Sequence, residues 1–297
     1  MSLKISVITI CYNAAPILPL TIESVLAQDY DNFEYVIQDG MSADETPKII
    51  EGYRQRFEDR NIRFIYNREP DNGIYDAMNK GVASAEGDYI NFMNAGDCFY
   101  SADVIRKVAG AIEQNTEASD DPSKPAANPA IVYGDCAVYE YGRFYRYNKS
   151  LDSIEEMMPF SHQSVFAVRD LLLEHPFDTG NRYSSDYDFL LTAHDLGVRF
   201  LDSGVWVCIT TADGTSSVNY HDTLMESVAI LKKHGLYHHS EAELARNEKM
   251  LKIKQFVLDN FPVPVRKWIR GRQIKARGQD ISPDIPDWFS DHYLINR

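Results

Sequence analysis

The chain is poor in cysteine, and the few it has are scattered. Cys11, Cys98, Cys136 and Cys208 are all it contains, and no two form a Cys-x-x-Cys pair. Neither a zinc ribbon nor a dense disulfide framework is expected, and the thiols read as reduced. Long apolar runs are also missing, since none reaches the roughly 18 residues that a membrane-spanning helix needs. Met1-Ser2-Leu3-Lys4 passes directly into a β-like run, without the charged, apolar and small-residue regions of a secretory signal, which predicts a cytoplasmic location. Positive charge is scarce as well. A formal net charge of −14 over 297 residues sets most of the surface against a phosphate backbone, so nucleic acid is not expected as a partner. Finally, Tyr12-Asn13-Ala14 follows the first β-like run where a dinucleotide fold would carry Gly-x-Gly-x-x-Gly, and no P-loop occurs. Nicotinamide chemistry and P-loop phosphoryl transfer are thereby set aside.

What the chain does have is alternation. Apolar runs at Ile5–Ile10, Phe33–Gln38, Ile62–Tyr66 and Tyr89–Met93 are separated by helix-like stretches at Pro16–Ala27, Pro47–Phe57 and Gly73–Ala85. This is a βαβ series, and it predicts an α/β fold with a mostly parallel central sheet. Thr46-Pro47 predicts a helix start, with the Thr46 hydroxyl as N-cap and proline at the first helical position. A helix near Ala102–Gln114 comes next, then a polar, Pro- and Ala-rich loop over Asn115–Ala130. Ile131–Glu140 and Arg143–Asn148, joined through Tyr141-Gly142, predict a hairpin that adds a small antiparallel ribbon. A strand is expected at Val205–Thr211, and beyond residue 218 the pattern is helical.

Ligands of open α/β sheets sit where the loops diverge at the strand ends. Asn94-Ala95-Gly96-Asp97 ends the fourth apolar run there and brings a carboxylate with it. Ser6–Asn13 and Gln38–Thr46 place small polar groups, Tyr12 and Asp39 after the first two strands. An aspartate there can accept from a base or ribose, and an aromatic ring can stack on a base, although an Asp-Gly turn alone explains the same residues. Glu69–Gly81 sets a turn before a helix whose free N–H groups favour anions, with Lys80 further along it. Ser184-Ser185-Asp186 precedes an apolar stripe, so Asp186 is either a helix cap or a base held ionised at a helix start.

Together these residues resemble the family 2 glycosyltransferases, which have the GT-A fold and act with inversion. The resemblance runs from about Lys4 to Thr215, because four separated motifs occur in the family's order. By it, Thr9, Tyr12, Asn13, Asp39, Asp71, Lys80 and Asn94 fall on the nucleotide-sugar side, and Ser42-Ala43-Asp44-Glu45-Thr46 matches the family's Ser-x-Asp-x-Thr. Gly40 stands where the family often has a second Asp. The DXD-type motif that holds the diphosphate through Mg2+ or Mn2+ falls on Asn94–Asp97, reduced to the single carboxylate Asp97 as metal ligand. Asp186, in Phe177–Phe189, takes the place of the catalytic base, with Asp188 as the fallback. His162 and Gln163 match a His-Gln element on the acceptor or diphosphate side, and Gly214–Ser217 with His221 resembles a later Gly-Ser loop.

The expected domain layout is a GT-A domain over 1–218, with a nucleotide-binding half 1–97 and an acceptor-binding half 98–218, followed by a helical extension 219–297. Between Phe261 and Gly278 that extension carries six basic residues and no acidic one. Such a segment either lies on an anionic membrane surface, which suits a lipid-linked acceptor and a peripheral location on the inner face of the cytoplasmic membrane, or folds onto the acidic body. The expected function is transfer of a sugar from a nucleoside-diphosphate donor, with UDP expected, to a hydroxyl of a glycan or lipid-linked acceptor in cell-surface polysaccharide synthesis. The alternatives are an inactive nucleotide-sugar-binding protein and a sugar-nucleotide nucleotidyltransferase.

Overall fold

The first strand, β1 (Ile5–Cys11), is buried along its whole length because both of its faces are covered. Ile5 and Val7 enter one apolar cluster with Leu18, Tyr35 and Phe57, whereas Ile8 and Ile10 enter another with Met78, Phe92 and Leu190. The period of two between these sets is the pleat of a strand. The computed structural model describes residues 2–116, 128–147, 149–211, 219–276, 279–281 and 286–290. Gly214–Ser217, Arg277 and most of the Asn115–Ala130 loop lie outside the described residues.

Around β1, the strands β2 (Phe33–Asp39), β3 (Arg63–Arg68) and β4 (Tyr89–Phe92) form a parallel set in the order β3-β2-β1-β4. The crossovers are α1 (Leu18–Leu26), α2 (Thr46–Asp59) and α3 (Ile74–Ser84). Because these strands share one direction, the loops after β1, β2, β3 and β4 open along the same sheet edge. Next come β5 (Cys98–Phe99), α4 (Val104–Gln114), β6 (Ile131–Glu140) and β7 (Arg143–Arg146), then β8 (Val165–Val168), α5 (Arg169–Glu174), α6 (Ser185–Asp195) and β9 (Phe200–Thr211). β8 joins β4 antiparallel and β6 follows antiparallel to it, while β9 runs parallel to β6. The β6–β7 hairpin forms where expected, with Tyr141 at φ 50° and Gly142 at φ 80°, the paired positive φ values of a twisted two-residue turn. Gly134 is needed in β6 because a Cβ there would meet the Val205 carbonyl oxygen of β9 at 2.4 Å.

Two expectations are corrected. α2 begins at Thr46 itself, and the Thr46 hydroxyl does not cap it; that oxygen accepts the Ala14 N–H at 2.8 Å. A contact 32 residues away wins over the local cap. β9 is longer than its apolar core because pairing with β6 already begins at Ile131 opposite Phe200 and carries polar Asp202 into the strand.

Three longer helices follow, Tyr220–Lys233, Glu241–Asn260 and Val263–Ala276. The first buries Ile230 and Leu231 in the same cluster as Ile8 and Leu190. The second opens with a reciprocal capping box between Ser240 and Glu243. The third leans on the hairpin, where Arg270 donates to Glu140 at 2.6 Å and to the Tyr145 hydroxyl at 2.9 Å. Among the described residues no helix is long and apolar enough to cross a membrane.

Candidate functional site

Asn94-Ala95-Gly96-Asp97 closes as a tight turn, with the Asp97 N–H donating to the Asn94 carbonyl at 3.0 Å. Gly96 lies at φ +99°, in the region that the third position of such a turn requires and glycine reaches most cheaply. Thr21 of α1 locks the turn from below. Its hydroxyl donates to the Asp97 carbonyl at 2.7 Å and accepts the Gly96 N–H at 3.0 Å.

Across from the turn lies the His162–Ser164 helical turn, anchored by Asn91 of β4, whose amide donates to the Gln163 and Val165 carbonyls, each at 2.9 Å. Gln163 Nε2 donates to Asp97 Oδ2 at 2.8 Å. His162 Nε2 lies 3.1 Å from Asn94 Nδ2, and Nδ1 lies 3.2 Å from Asp186 Oδ2. The other Asp186 oxygen accepts the Tyr75 hydroxyl at 2.9 Å and the Tyr187 N–H at 3.0 Å. Five residues expected at the site, Asn94, Asp97, His162, Gln163 and Asp186, thus form one bonded group. Tyr75 completes it and was not singled out by sequence, since its role depends on a partner 111 residues away.

Burial works against ionising Asp186, but the hydrogen bond and charge of His162, with the Tyr75 hydroxyl and the Tyr187 N–H, outweigh it and hold the carboxyl below the ordinary aspartate range. For His162 burial pulls the other way too. The bond and charge of Asp186, helped by the charge of Asp97, prevail and push the imidazole up. Burial and the adjacent Asp186 carboxylate drive the Tyr75 hydroxyl well above its usual range, so it remains a donor. The Asn94 amide donates to Nε2 of the neutral ring, whose Nδ1–H donates to Asp186. Three of the roughly four lone-pair positions of Asp186 are taken, which leaves capacity for one more donor. Phe92, Phe177 and Phe189 line an apolar cavity of about 20 Å³ beside His162 and Asp186, room for about one water.

The residues present fit a hard cation. Asn94 Oδ1 is buried without a hydrogen-bond partner, and with the Asp97 carboxylate it offers the oxygen donors such ions prefer. Among the described residues no group of three or more His, Cys, Asp and Glu side chains could hold a metal. One carboxylate and one amide oxygen suffice only when phosphate oxygens complete the shell, as Mg2+ sites commonly arrange.

Further along the same sheet edge the loops after β1 and β2 are laced together. Ser42 Oγ accepts the Asn13 N–H at 2.8 Å, the Asn13 side-chain oxygen accepts the Ala43 N–H at 2.8 Å, and Asp44 accepts the Ala15 N–H at 3.1 Å. This lacing holds Asn13 at φ 49°, a left-handed conformation Asn tolerates, and presents the Tyr12 ring 66 % exposed. Gly40 is explained by its neighbour, since a Cβ there would stand 2.3 Å from Asp71 Oδ2 and 3.5 Å from the Tyr12 ring. Tyr12, Gly40 and Asp71 therefore share one rim.

Other candidates sit elsewhere. Thr9 is wholly buried, its hydroxyl donating to the Met93 carbonyl at 2.7 Å and paired with the Tyr35 hydroxyl at 2.8 Å. It supports the turn from inside the sheet. Asp39 is also fully buried and accepts from Ser42 N–H, Ser42 hydroxyl and Tyr66 hydroxyl, so it braces the pocket wall. Lys80 donates to the Pro70 carbonyl at 2.6 Å and pairs with Asp76 at 3.1 Å, steadying the turn before α3. His221 is exposed against Asp222 and is not joined to the bonded group. Asp188 is gripped by Lys233 at 2.7 Å and His234 at 2.9 Å, which removes it as the fallback base.

The family model described as Glycosyl transferase family 2 matches residues 6–171. A PGL/p-HBAD biosynthesis glycosyltransferase of Mycobacterium bovis is 32% identical over 185 residues, covering 62% of this chain and 67% of that protein. The uncharacterized glycosyltransferase EpsJ of Bacillus subtilis is 31% identical over 244 residues, covering 75% and 65%. Among solved structures, S. aureus TarS 1-349 in complex with UDP-GlcNAc superposes with a TM-score of 0.63 at 18% identity, over 90% of this chain and 79% of that one. The mannosyltransferase PcManGT from Pyrobaculum calidifontis in complex with GDP-Man and Mn2+ gives 0.59 at 17% identity, over 86% and 70%. At such identities the structures speak to fold alone.

Proposed function

Because the chain belongs to glycosyl transferase family 2 and has the GT-A fold, we propose that it transfers a sugar, with inversion, from a nucleoside-diphosphate donor to a hydroxyl of a glycan or lipid-linked acceptor in cell-surface polysaccharide synthesis. The observation that carries this is the His162-Gln163 bridge. It bonds the Asn94–Asp97 turn on one side and Asp186 on the other, so a diphosphate-binding turn and an ionised carboxylate flank one small space.

In this reading the nucleoside rests on the Tyr12, Gly40 and Asp71 rim and the diphosphate lies at the Asn94–Asp97 turn. Asn94 and Asp97 would hold Mg2+ or Mn2+ together with the phosphates, and the ion when bound stabilises charge on the leaving diphosphate. Asp186 accepts the proton of the acceptor hydroxyl as its oxygen attacks the anomeric carbon, and the nucleoside diphosphate departs from the opposite face. His162 and Tyr75 hold Asp186 in place and ionised. The donor nucleotide is taken as uridine, which the UDP-GlcNAc bound to TarS supports and the GDP-Man bound to PcManGT opposes. The test is a panel of UDP, GDP and dTDP sugars assayed for binding and nucleoside-diphosphate release, each with and without Mn2+. Release from one donor supports transfer. Tight binding with no release in the presence of membrane-lipid extracts would leave a nucleotide-sugar-binding protein.

The C-terminal helices suit an acceptor at a membrane surface. Met250, Ile253 and Phe256 on the helix Glu241–Asn260, and Trp268 on the basic helix that follows it, are each more than half exposed. On the last of these helices Arg270 faces the hairpin, whereas Trp268 points outward with the Arg272 guanidinium 4.4 Å above its ring. One face of the helix binds the body, and on the other the exposed Trp268, Arg272 and Lys275 suit anionic headgroups. Full-length protein should co-sediment with phosphatidylserine-containing vesicles and not with neutral ones. Replacing Arg272 and Lys275 by alanine should weaken that binding by roughly 30-fold at low salt, at about 1 kcal/mol per basic residue. Equal sedimentation with neutral vesicles would remove the membrane from the proposal.

A further inference from the structure

The helix Tyr220–Lys233 lies beyond residues 6–171, which the family model matches, yet it grips the segment bearing Asp186 from both sides. Ahead of Asp186, Glu226 accepts three successive backbone N–H groups, from Arg182 at 2.8 Å, Tyr183 at 2.7 Å and Ser184 at 3.1 Å. Behind it, Lys233 donates to both Asp188 oxygens at 3.0 and 2.7 Å, and His234 bonds Asp188 at 2.9 Å and Asp195 at 2.6 Å. Ile230 and Leu231 seat the same helix in the core with Leu190 and Leu191 of α6.

Arg182–Ser184 is the stretch where the chain enters α6. Ser184, its N-cap, makes no side-chain cap bond; its carbonyl accepts the Tyr187 and Asp188 N–H groups, but the N–H groups of Arg182, Tyr183 and Ser184 bond to Glu226, outside the segment. A carboxylate that gathers three consecutive amides supplies what the local sequence does not, and charge-assisted bonds of this kind are about twice as strong as neutral ones. Asp186 is two residues on, with its position limited by the 2.9 Å bond to Tyr75 and the 3.2 Å approach to His162.

We infer that Glu226 is a positioning residue for the transfer reaction, holding the Arg182–Ser184 backbone so that Asp186 meets His162, Tyr75 and the acceptor hydroxyl. The inference rests on the reading of Asp186 as the base. It makes the first helix after residue 218 part of the catalytic unit, and places the division between catalytic body and extension after Lys233.

The test uses full-length wild-type, Glu226→Ala and Glu226→Gln proteins in two measurements. In hydrogen–deuterium exchange, the amides of Arg182, Tyr183 and Ser184 should exchange at least about tenfold faster in Glu226→Ala, with β1 to β4 unchanged. Glu226→Gln, which keeps one acceptor oxygen, should fall between. In nucleoside-diphosphate release from the donor identified by the panel, kcat should fall at least about tenfold in Glu226→Ala with donor KM within about twofold, and Glu226→Gln should recover part of the loss. Unchanged exchange overturns the clamp. Faster exchange with unaltered kcat overturns the positioning role. If the wild type turns over no donor, the transferase reading fails by itself and exchange alone decides whether Glu226 holds the loop.

Discussion

Replacing Asp186 by asparagine is expected to lower transfer by roughly 10²- to 10⁴-fold, the usual worth of a general base, while donor affinity stays within a few-fold. The asymmetry follows from geometry. Asp186 touches Tyr75, Tyr187 and His162 and none of the residues on the Tyr12, Gly40 and Asp71 rim. Asparagine keeps an oxygen for the Tyr75 hydroxyl and the Tyr187 N–H, so the fold around it should hold, but its amide cannot take the acceptor's proton. The pH dependence has a definite sign. Burial opposes ionisation of Asp186, but His162, Tyr75 and the Tyr187 N–H lower its pKa below the ordinary aspartate range. The acid limb of kcat in the wild type should accordingly lie below that range. Equal turnover by wild type and Asp186→Asn on the donor from the panel would remove Asp186 as the base.

How far this site could be read from sequence depends on the distance over which each residue finds its partners. The Asn94–Asp97 turn was legible because strand end, glycine and carboxylate are consecutive, and the structure forms it within four residues. The parallel series β1 to β4 was legible for a related reason, since each apolar run is bounded by a local helix signal. Thr9 shows the opposite case. Its place near the first strand end suggested ligand contact, yet the pleat turns its side chain into the sheet, where Tyr35 and the Met93 carbonyl, 84 residues on, take its hydroxyl. Lys80 and Asp39 are similar, in that their charges brace the turns that make the pocket. Tyr75 and Glu226 could not be singled out, because nothing in Ile74-Tyr75-Asp76 or Met225-Glu226-Ser227 announces a partner until α3, α6 and the helix Tyr220–Lys233 converge. Gly40 looked like a weakened motif. The structure gives it a reason, since the Asp71 carboxylate occupies the space a side chain would need.

A different loss is expected from Asp97→Ala. Donor affinity measured by calorimetry should lose its dependence on Mn2+ and fall by about a hundredfold or more, because the phosphates would keep only the Asn94 oxygen as protein partner for the ion; this corresponds to about 3 kcal/mol. Transfer should collapse with it. The loss cannot be ascribed to a missing fold contact alone, because Gln163 also bonds Ser161 at 2.5 Å and the backbone of the turn is held by Thr21. Asp97→Asn serves as the control. It preserves an oxygen for the Gln163 amide at nearly the same size but lacks the charge, so it should resemble Asp97→Ala in metal dependence and the wild type in thermal stability. The two aspartates thus fail in separable ways, Asp186→Asn on kcat with the donor still bound and Asp97→Ala on the donor itself. If Asp97→Ala bound the donor as tightly as wild type with Mn2+ present, the cation would not be held by this turn, and the single carboxylate of the motif would be a structural partner of Gln163.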